Sequence, residues 1–262
     1  MLRKPAVAGM FYPKEKEALQ KMLTLFFQTV NQDKSFQEKI KDIKAEDIHG
    51  LIVPHAGYIY SGRTAAYAYS LLKKVKPKNI LLLGPNHTIP LSGISFADYE
   101  EWETPLGKIN AVTKNHIFSP FISYENNAHL KEHCLEVQLP FLQYFLKDFQ
   151  IAPSIIGELT EGEIKSFARL LKENFANYFI IISTDLSHYL SQNNAEKEDK
   201  KTINSIINFN PLNFNACGRF PLAVAVELCR LNRWQPKLLH STTSAEASGD
   251  ASRVVGYASL FF

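Results

Sequence analysis

The feature that most constrains this chain is a recurring pair, a short and almost wholly apolar run followed by a stretch with helical periodicity. LIV at 51–53, NILLLGP at 79–85, FQIAPSIIG at 149–157 and NYFIIIS at 177–183 are such runs. Strands buried on both faces read as continuous apolar runs, whereas strands with one wet face alternate. The stretches GRTAAYAYSLLKKV, EGEIKSFARLLKENF and PLAVAVELCRL space their apolar residues for a helix. Apolar strands alternating with amphipathic helices predict βαβ units, hence an α/β fold with a central, mostly parallel or mixed sheet and helices on both faces.

A chain of 262 residues, 45% hydrophobic, is long enough to bury one continuous core, so residues 1–262 are expected to form a single domain. KEKEALQKMLTLFFQTV predicts an N-terminal helix with Leu19, Met22, Leu23, Phe26 and Phe27 on one face. Ser61 is placed to cap the helix after LIVPH, and EHCLEVQLPFLQYFL reads as helical with Pro140 as a kink or boundary. Short strands with turns are expected across residues 91–118, and PKLLHS and RVVGYASLFF predict strands near the C-terminus.

The formal charge of +3 is spread among acids, as in KEKEALQK and AEKEDKK, so these runs read as solvated helix faces and no nucleic-acid partner is expected. Three cysteines, Cys134, Cys217 and Cys229, show no CxxC spacing, which argues against a disulfide framework or a zinc ribbon and for a reducing cytosol. No apolar run approaches the ~20 residues needed to cross a bilayer. A cytoplasmic protein without a membrane partner is the expectation.

In open α/β sheets, ligands bind beyond the carboxyl ends of the strands. LIVPH ends in His55, ILLLGPNH in His87, FIIISTDLSH in Asp185 and His188, and LLHSTTSAE in Glu246. A lone histidine after a strand is ordinarily structural, but parallel placement of several points to a rim that binds something. Two imidazoles and one carboxylate suit non-haem Fe(II), with zinc as the close competitor. Glu132, His133 and Glu136 share one short stretch, and the two glutamates, at i and i+4, are expected on one helical face, either as orienting partners for the histidines or as a helix cap at Glu132 and a salt bridge from Glu136. Gln138 faces the pocket in the same reading. Tyr58 and Tyr60 line the pocket or simply pack; Arg63 holds an anionic group or pairs with a rim carboxylate. Cys134 and Cys217 read first as small buried residues and second as soft ligands or redox thiols.

RKPAVAGMFYP, VPHAGYIYSG, GPNH, WETPLG, EHCLEVQLPFLQ, STDLSHY and SGDASRVVGYAS, in this order, resemble the Memo family, which includes the bacterial and archaeal proteins called AmmeMemoRadiSam system protein B. The resemblance spans nearly the whole chain and implies a fold like that of class III extradiol dioxygenase catalytic subunits. It implies His55 and His87 as metal ligands and His188 as the acid/base; Asp185, three residues before His188, is placed either to orient that ring or to cap a helix. For the third ligand the resemblance points to the loop before the last strand, where animal Memo proteins, for which iron or copper binding is described, carry a cysteine; here that loop reads TTSAEASGD, with none. Aligning the loop before the last strand places Glu246 there, with Asp250 as the reserve. The implied activity is an Fe(II)-dependent, dioxygenase-like oxidoreductase acting on a metal-chelating, catechol-like small molecule, with copper or zinc as other metals. A metal-dependent hydrolase and a non-catalytic metal-binding or signalling module are the alternatives. The family name also implies functional association with an AMMECR-type protein and a radical SAM protein.

Overall fold

A computed structural model describes residues 1–113, 117–210 and 214–262. Its strands are β1 (Leu2–Arg3), β2 (Gly50–Val53), β3 (Asn79–Pro85), β4 (Ile94–Phe96), β5 (Glu101–Thr104), β6 (Gly107–Ala111), β7 (Ile122–Ser123), β8 (Gln150–Ile156), β9 (Phe179–Ser183), β10 (His188–Leu190), β11 (Lys237–Thr243) and β12 (Val254–Phe261). The α-helices are α1 (Lys16–Gln32), α2 (Lys34–Ile40), α3 (Tyr58–Tyr69), α4 (Leu72–Val75), α5 (Asn127–Leu130), α6 (Leu139–Phe145), α7 (Glu161–Asn174), α8 (Gln192–Ile207), α9 (Arg219–Asn232) and α10 (Ala245–Ser248).

Among the described residues the strands form one mixed sheet with the path β1-β5-β6-β8-β3-β9-β2-β12-β10, β11 pairing β12 and β4 pairing both β7 and β8. Its centre, β8-β3-β9-β2, is parallel throughout. The period-2 geometry of a strand sends alternate side chains to opposite faces. Leu51, Val53, Ile80, Leu82 and Ile181 accordingly pack with α1, α3 and α6 on one side. Ile52, Leu81, Leu83, Ile180 and Ile182 pack with α7, α8 and α9 on the other. Both faces are covered, which is why the central strands carry no polar alternation.

Three local expectations need correction. The helix after LIVPH begins at Tyr58 with Gly57 at its cap, and Ser61, already inside the first turn, donates to the Ala56 carbonyl at 2.9 Å. EHCLEVQLPFLQYFL is not one helix: a 3₁₀ turn at Glu136–Gln138 precedes α6, whose first turn holds Pro140. Proline is tolerated in a first helical turn but not within a helix, so residues 132–135 stay irregular. Glu132 and Glu136 therefore do not share a helical face. Within 91–118 the expected short strands are β4, β5 and β6, while residues 114–116 lie outside the described residues.

Candidate metal centre

Because β2, β3 and β9 run parallel, their carboxyl ends open at one rim. His55 follows β2, His87 follows β3, and Asp185 and His188 follow β9. The rings converge: His55 lies 5.2 Å from His87 and 5.4 Å from His133 between centroids, and His87 lies 4.8 Å from His133. A cavity of about 480 Å³ is lined there by His55, His87, His133, Asp185, His188, Tyr189 and Cys217, together with Phe11 and the Ala56–Gly57 backbone.

The donor atoms of His55, His87 and Cys217 all lie within 4.8 Å of one another. Each donor is prepared by what stands behind it. The Ser183 hydroxyl donates to the Cys134 carbonyl at 2.7 Å and accepts from Gln138 Nε2 at 2.9 Å. Its contact with His55 Nδ1 at 2.8 Å must therefore be donated by the ring. That fixes the tautomer and turns the Nε2 lone pair of His55 toward Cys217 Sγ, 3.2 Å away. Burial drives the His55 pKa well below the ordinary value, so the ring is neutral and free to ligate.

His87 Nδ1 lies 3.0 Å from Glu132 Oε1, and His133 Nδ1 lies 3.2 Å from the same oxygen. The carboxylate also accepts from the backbone amides of His87, His133 and Cys134. Burial opposes ionisation of Glu132, but the bonds from His133 and His87 outweigh it and hold the carboxyl far below the usual range. His87, Glu132 and His133 also meet the geometric requirement for a metal group. The bonds Glu132 already accepts make it an orienting carboxylate, of the kind that fixes ligand histidines.

Cys217 reaches the rim from the loop ahead of α9. Gly218 makes this approach: a Cβ there would meet Thr184 Oγ1 at 2.5 Å and the Ser183 carbonyl at 3.1 Å. The sulfur accepts from the Asp185 amide at 3.3 Å, and burial with the neighbouring Asp185 charge pushes the thiol pKa up to about 12. An empty site thus holds a thiol, and a metal ion would take it as thiolate with loss of a proton. Two neutral imidazoles and a thiolate form a donor set suited to iron, zinc or copper, and the residues fit a resident metal on this chemistry.

The remaining predicted residues fall in four places. His188 lines the cavity, its Nδ1–H donated to the Leu186 carbonyl at 2.8 Å, which leaves Nε2 as the basic nitrogen. Asp185 neither orients His188 nor caps a helix; it accepts from the His55 amide at 2.7 Å, and burial raises its pKa to about 6. Glu136 takes the salt-bridge role and not the orienting one: it pairs with Arg3 at 2.7 Å and accepts from the Ala6 and Val7 amides and the Tyr12 hydroxyl. Tyr58 is core, donating to the Val137 carbonyl at 2.6 Å and packing on Phe141.

Glu246 is the principal correction. It sits on α10, partly exposed, and pairs with Arg63 at 2.5 Å. The reason is topological. β12 is interposed between β2 and β11, so the loop after β11 rises two inter-strand spacings, roughly 10 Å, from the end of β2. Asp250 is exposed and accepts from the Ser252 amide at 2.8 Å. Neither lines the cavity. Cys217 stands where the third ligand was sought. It follows no strand, so a rule that reads strand ends passes over it; a cysteine set against glycine ahead of an apolar helix was the available signal. Cys134, by contrast, is fully buried, its thiol donating to the Pro85 carbonyl at 3.2 Å.

A covered mixed sheet whose parallel centre ends in a histidine-rich rim defines the class, an α/β protein with a candidate metal site at the strand ends. The family is narrower still. The profile described as Memo-like protein matches residues 3–261. The chain is 38% identical to a MEMO1 family protein of Methanobrevibacter smithii, with 100% of both chains covered. It is also 38% identical to a MEMO1 family protein of Aquifex aeolicus, covering 100% of this chain and 99% of that one. The chain belongs to the Memo family. In fold it is similar to the crystal structure of the uncharacterised protein JW3007 from Escherichia coli K12, with a TM-score of 0.50, 10% identity, and coverage of 81% of this chain and 99% of the other. Among the described residues no helix is long and apolar enough to cross a membrane.

Proposed function

We propose that this protein holds one metal ion, Fe(II) foremost, at His55, His87 and Cys217, and acts as an oxidoreductase on a small molecule that chelates the metal through vicinal oxygens. The observation that carries the reading is the convergence of three donor atoms within 4.8 Å from three separate segments, beside an open cavity. When bound, the ion supplies a Lewis acid and a redox centre with coordination positions left for ligands. The chain's own residues do the rest. Ser183 and Glu132 hold the two imidazoles in their ligating tautomers. His188, with Nδ1–H tied to the Leu186 carbonyl, presents Nε2 to take a proton from a substrate hydroxyl. Phe11 and Tyr189 wall the cavity. Tyr189 occupies the left-handed region at φ 61°, where the β10–β12 register shifts between His188 and Leu190. An aromatic residue held there is a strained element of the kind found at ligand sites. Functional association with an AMMECR-type protein and a radical SAM protein belongs to the same proposal, on the strength of the family.

Protein isolated without oxygen is expected to contain about one Fe(II) per chain and to consume oxygen with a catecholic substrate; metal analysis separates iron from zinc and copper. Unchanged metal content in both His55→Ala and Cys217→Ala would show the site to be wrong.

A further inference from the structure

A second cleft, of about 670 Å³, adjoins the metal donors, and Cys217 lines both it and the first cavity. Its walls are Pro85–Asn86, Pro90–Ser92, Ile156–Glu158, Arg219 and Phe220. Arg219 is exposed and, among the described residues, pairs with no carboxylate; its guanidinium lies over the Phe220 ring at 4.6 Å. Stacking on a ring pre-orients the planar fork for a carboxylate. Asn86 lines the same cleft and donates its amide to the Ile89 carbonyl, while Oδ1 is buried without a partner. A buried acceptor left unpaired is costly, and a small turn of the side chain toward the cleft would let a ligand hydroxyl satisfy it.

Arg219 stands two residues from Cys217, at most about 7 Å along an extended backbone. An anchored acid group and metal-bound oxygens can therefore belong to one small molecule. Glu158 lines the same cleft and disfavours more than one negative charge. Arg253 lies over the Tyr189 ring at 5.0 Å and lines neither cavity.

We propose that this cleft is the anchoring subsite of the substrate, which is a monocarboxylic, hydroxylated small molecule of about one ring: Arg219 takes its carboxylate, Asn86 Oδ1 accepts from a hydroxyl, and its vicinal oxygens face the ion that His55, His87 and Cys217 would hold. The inference rests on the chelating-substrate reading above. The probes are catechol and 3,4-dihydroxybenzoate on the metal-loaded protein, and 3-hydroxybenzoate, which lacks vicinal oxygens, on the metal-free protein. Titration calorimetry is expected to show 3,4-dihydroxybenzoate binding at least about tenfold tighter than catechol, in line with one charge-assisted pair. Arg219→Gln should erase that preference while leaving catechol affinity unchanged, and Arg219→Lys should restore part of it. Equal affinities in the wild type, or a preference that survives Arg219→Gln, would overturn the subsite. In the metal-free protein, ligand-observed NMR should detect 3-hydroxybenzoate, with the signal lost in Arg219→Gln. If that signal is seen but metal loading adds nothing to catechol binding, the subsite stands and the chelating reading falls. If no binding in either form depends on Arg219, the subsite falls.

Discussion

Glu132 and Glu136 lie one helical repeat apart in sequence and are both buried, yet they hold different parts of the molecule. Glu132 faces the rim, where it accepts from the His87 and His133 rings and from three backbone amides. Glu136 faces away, where it binds Arg3, the Ala6 and Val7 amides and the Tyr12 hydroxyl. Arg3 in turn reaches the His129 and Glu132 carbonyls and stacks on Trp102 at 4.2 Å. One carboxylate prepares ligands, and the other fastens the N-terminal arm to the body. Burial and charge alone do not separate these roles; the partners do.

The difference can be broken experimentally. Glu136→Gln removes the counter-charge of a fully buried guanidinium, and such losses cost about 3–5 kcal/mol. Chemical denaturation should show that loss, with metal affinity per folded molecule unchanged. Glu132→Gln should act the other way, since removing an orienting partner costs about 10–100-fold in metal affinity. Competition with a chromophoric chelator measures it. Equal loss of metal affinity in the two variants would dissolve the comparison.

Much of the fold was readable because burial on both faces leaves continuous apolar runs, and those runs became β2, β3, β8 and β9. The histidines were readable for a related reason, as parallel strands must bring their carboxyl ends to one rim. Neighbouring order was not. Nothing local in TTSAEASGD says that β12 lies between it and β2, so Glu246 seemed closer than it is. Nor did helical spacing say that Pro140 would open α6, which separated the two glutamates. Cys217 depended on Gly218 fitting against Thr184 and Ser183, a contact between segments more than 30 residues apart.

A smaller effect tests the chemistry assigned to the rim. Burial pushes the Cys217 thiol up to about 12 and keeps His55 neutral, so metal uptake should release one proton, from the thiol. Apparent affinity should then rise about tenfold per pH unit through neutrality. Cys217→Ser, offering a neutral hydroxyl, should bind more weakly and lose that slope. Proton release in lightly buffered solution gives the count directly, and zero protons per ion would remove the cysteine from the ligand set.

The smallest expected effect belongs to α5, whose His129 carbonyl receives Arg3 of the arm that Glu136 fastens. His129 is fully buried, its Nε2 donating to the Ser95 carbonyl at 3.0 Å, and burial lowers its pKa to about 3. Unfolding returns the ring to its ordinary value of about 6.5, so the unfolded chain binds the extra proton between those values. The associated stability is complete above about 6.5 and is lost as pH falls toward 3. At pH 6 the loss is only about 0.8 kcal/mol by linkage, steepening to about 1.4 kcal/mol per pH unit below that. The buried carboxyl of Asp199, raised by burial, works in the opposite direction, so the comparison is made between variants. Denaturation of metal-free protein between pH 7 and 5 should show a shallower acid loss in His129→Gln than in the wild type. An unchanged slope would mean that His129 already carries its proton in the folded protein, and that a second buried cation stands beside Arg3.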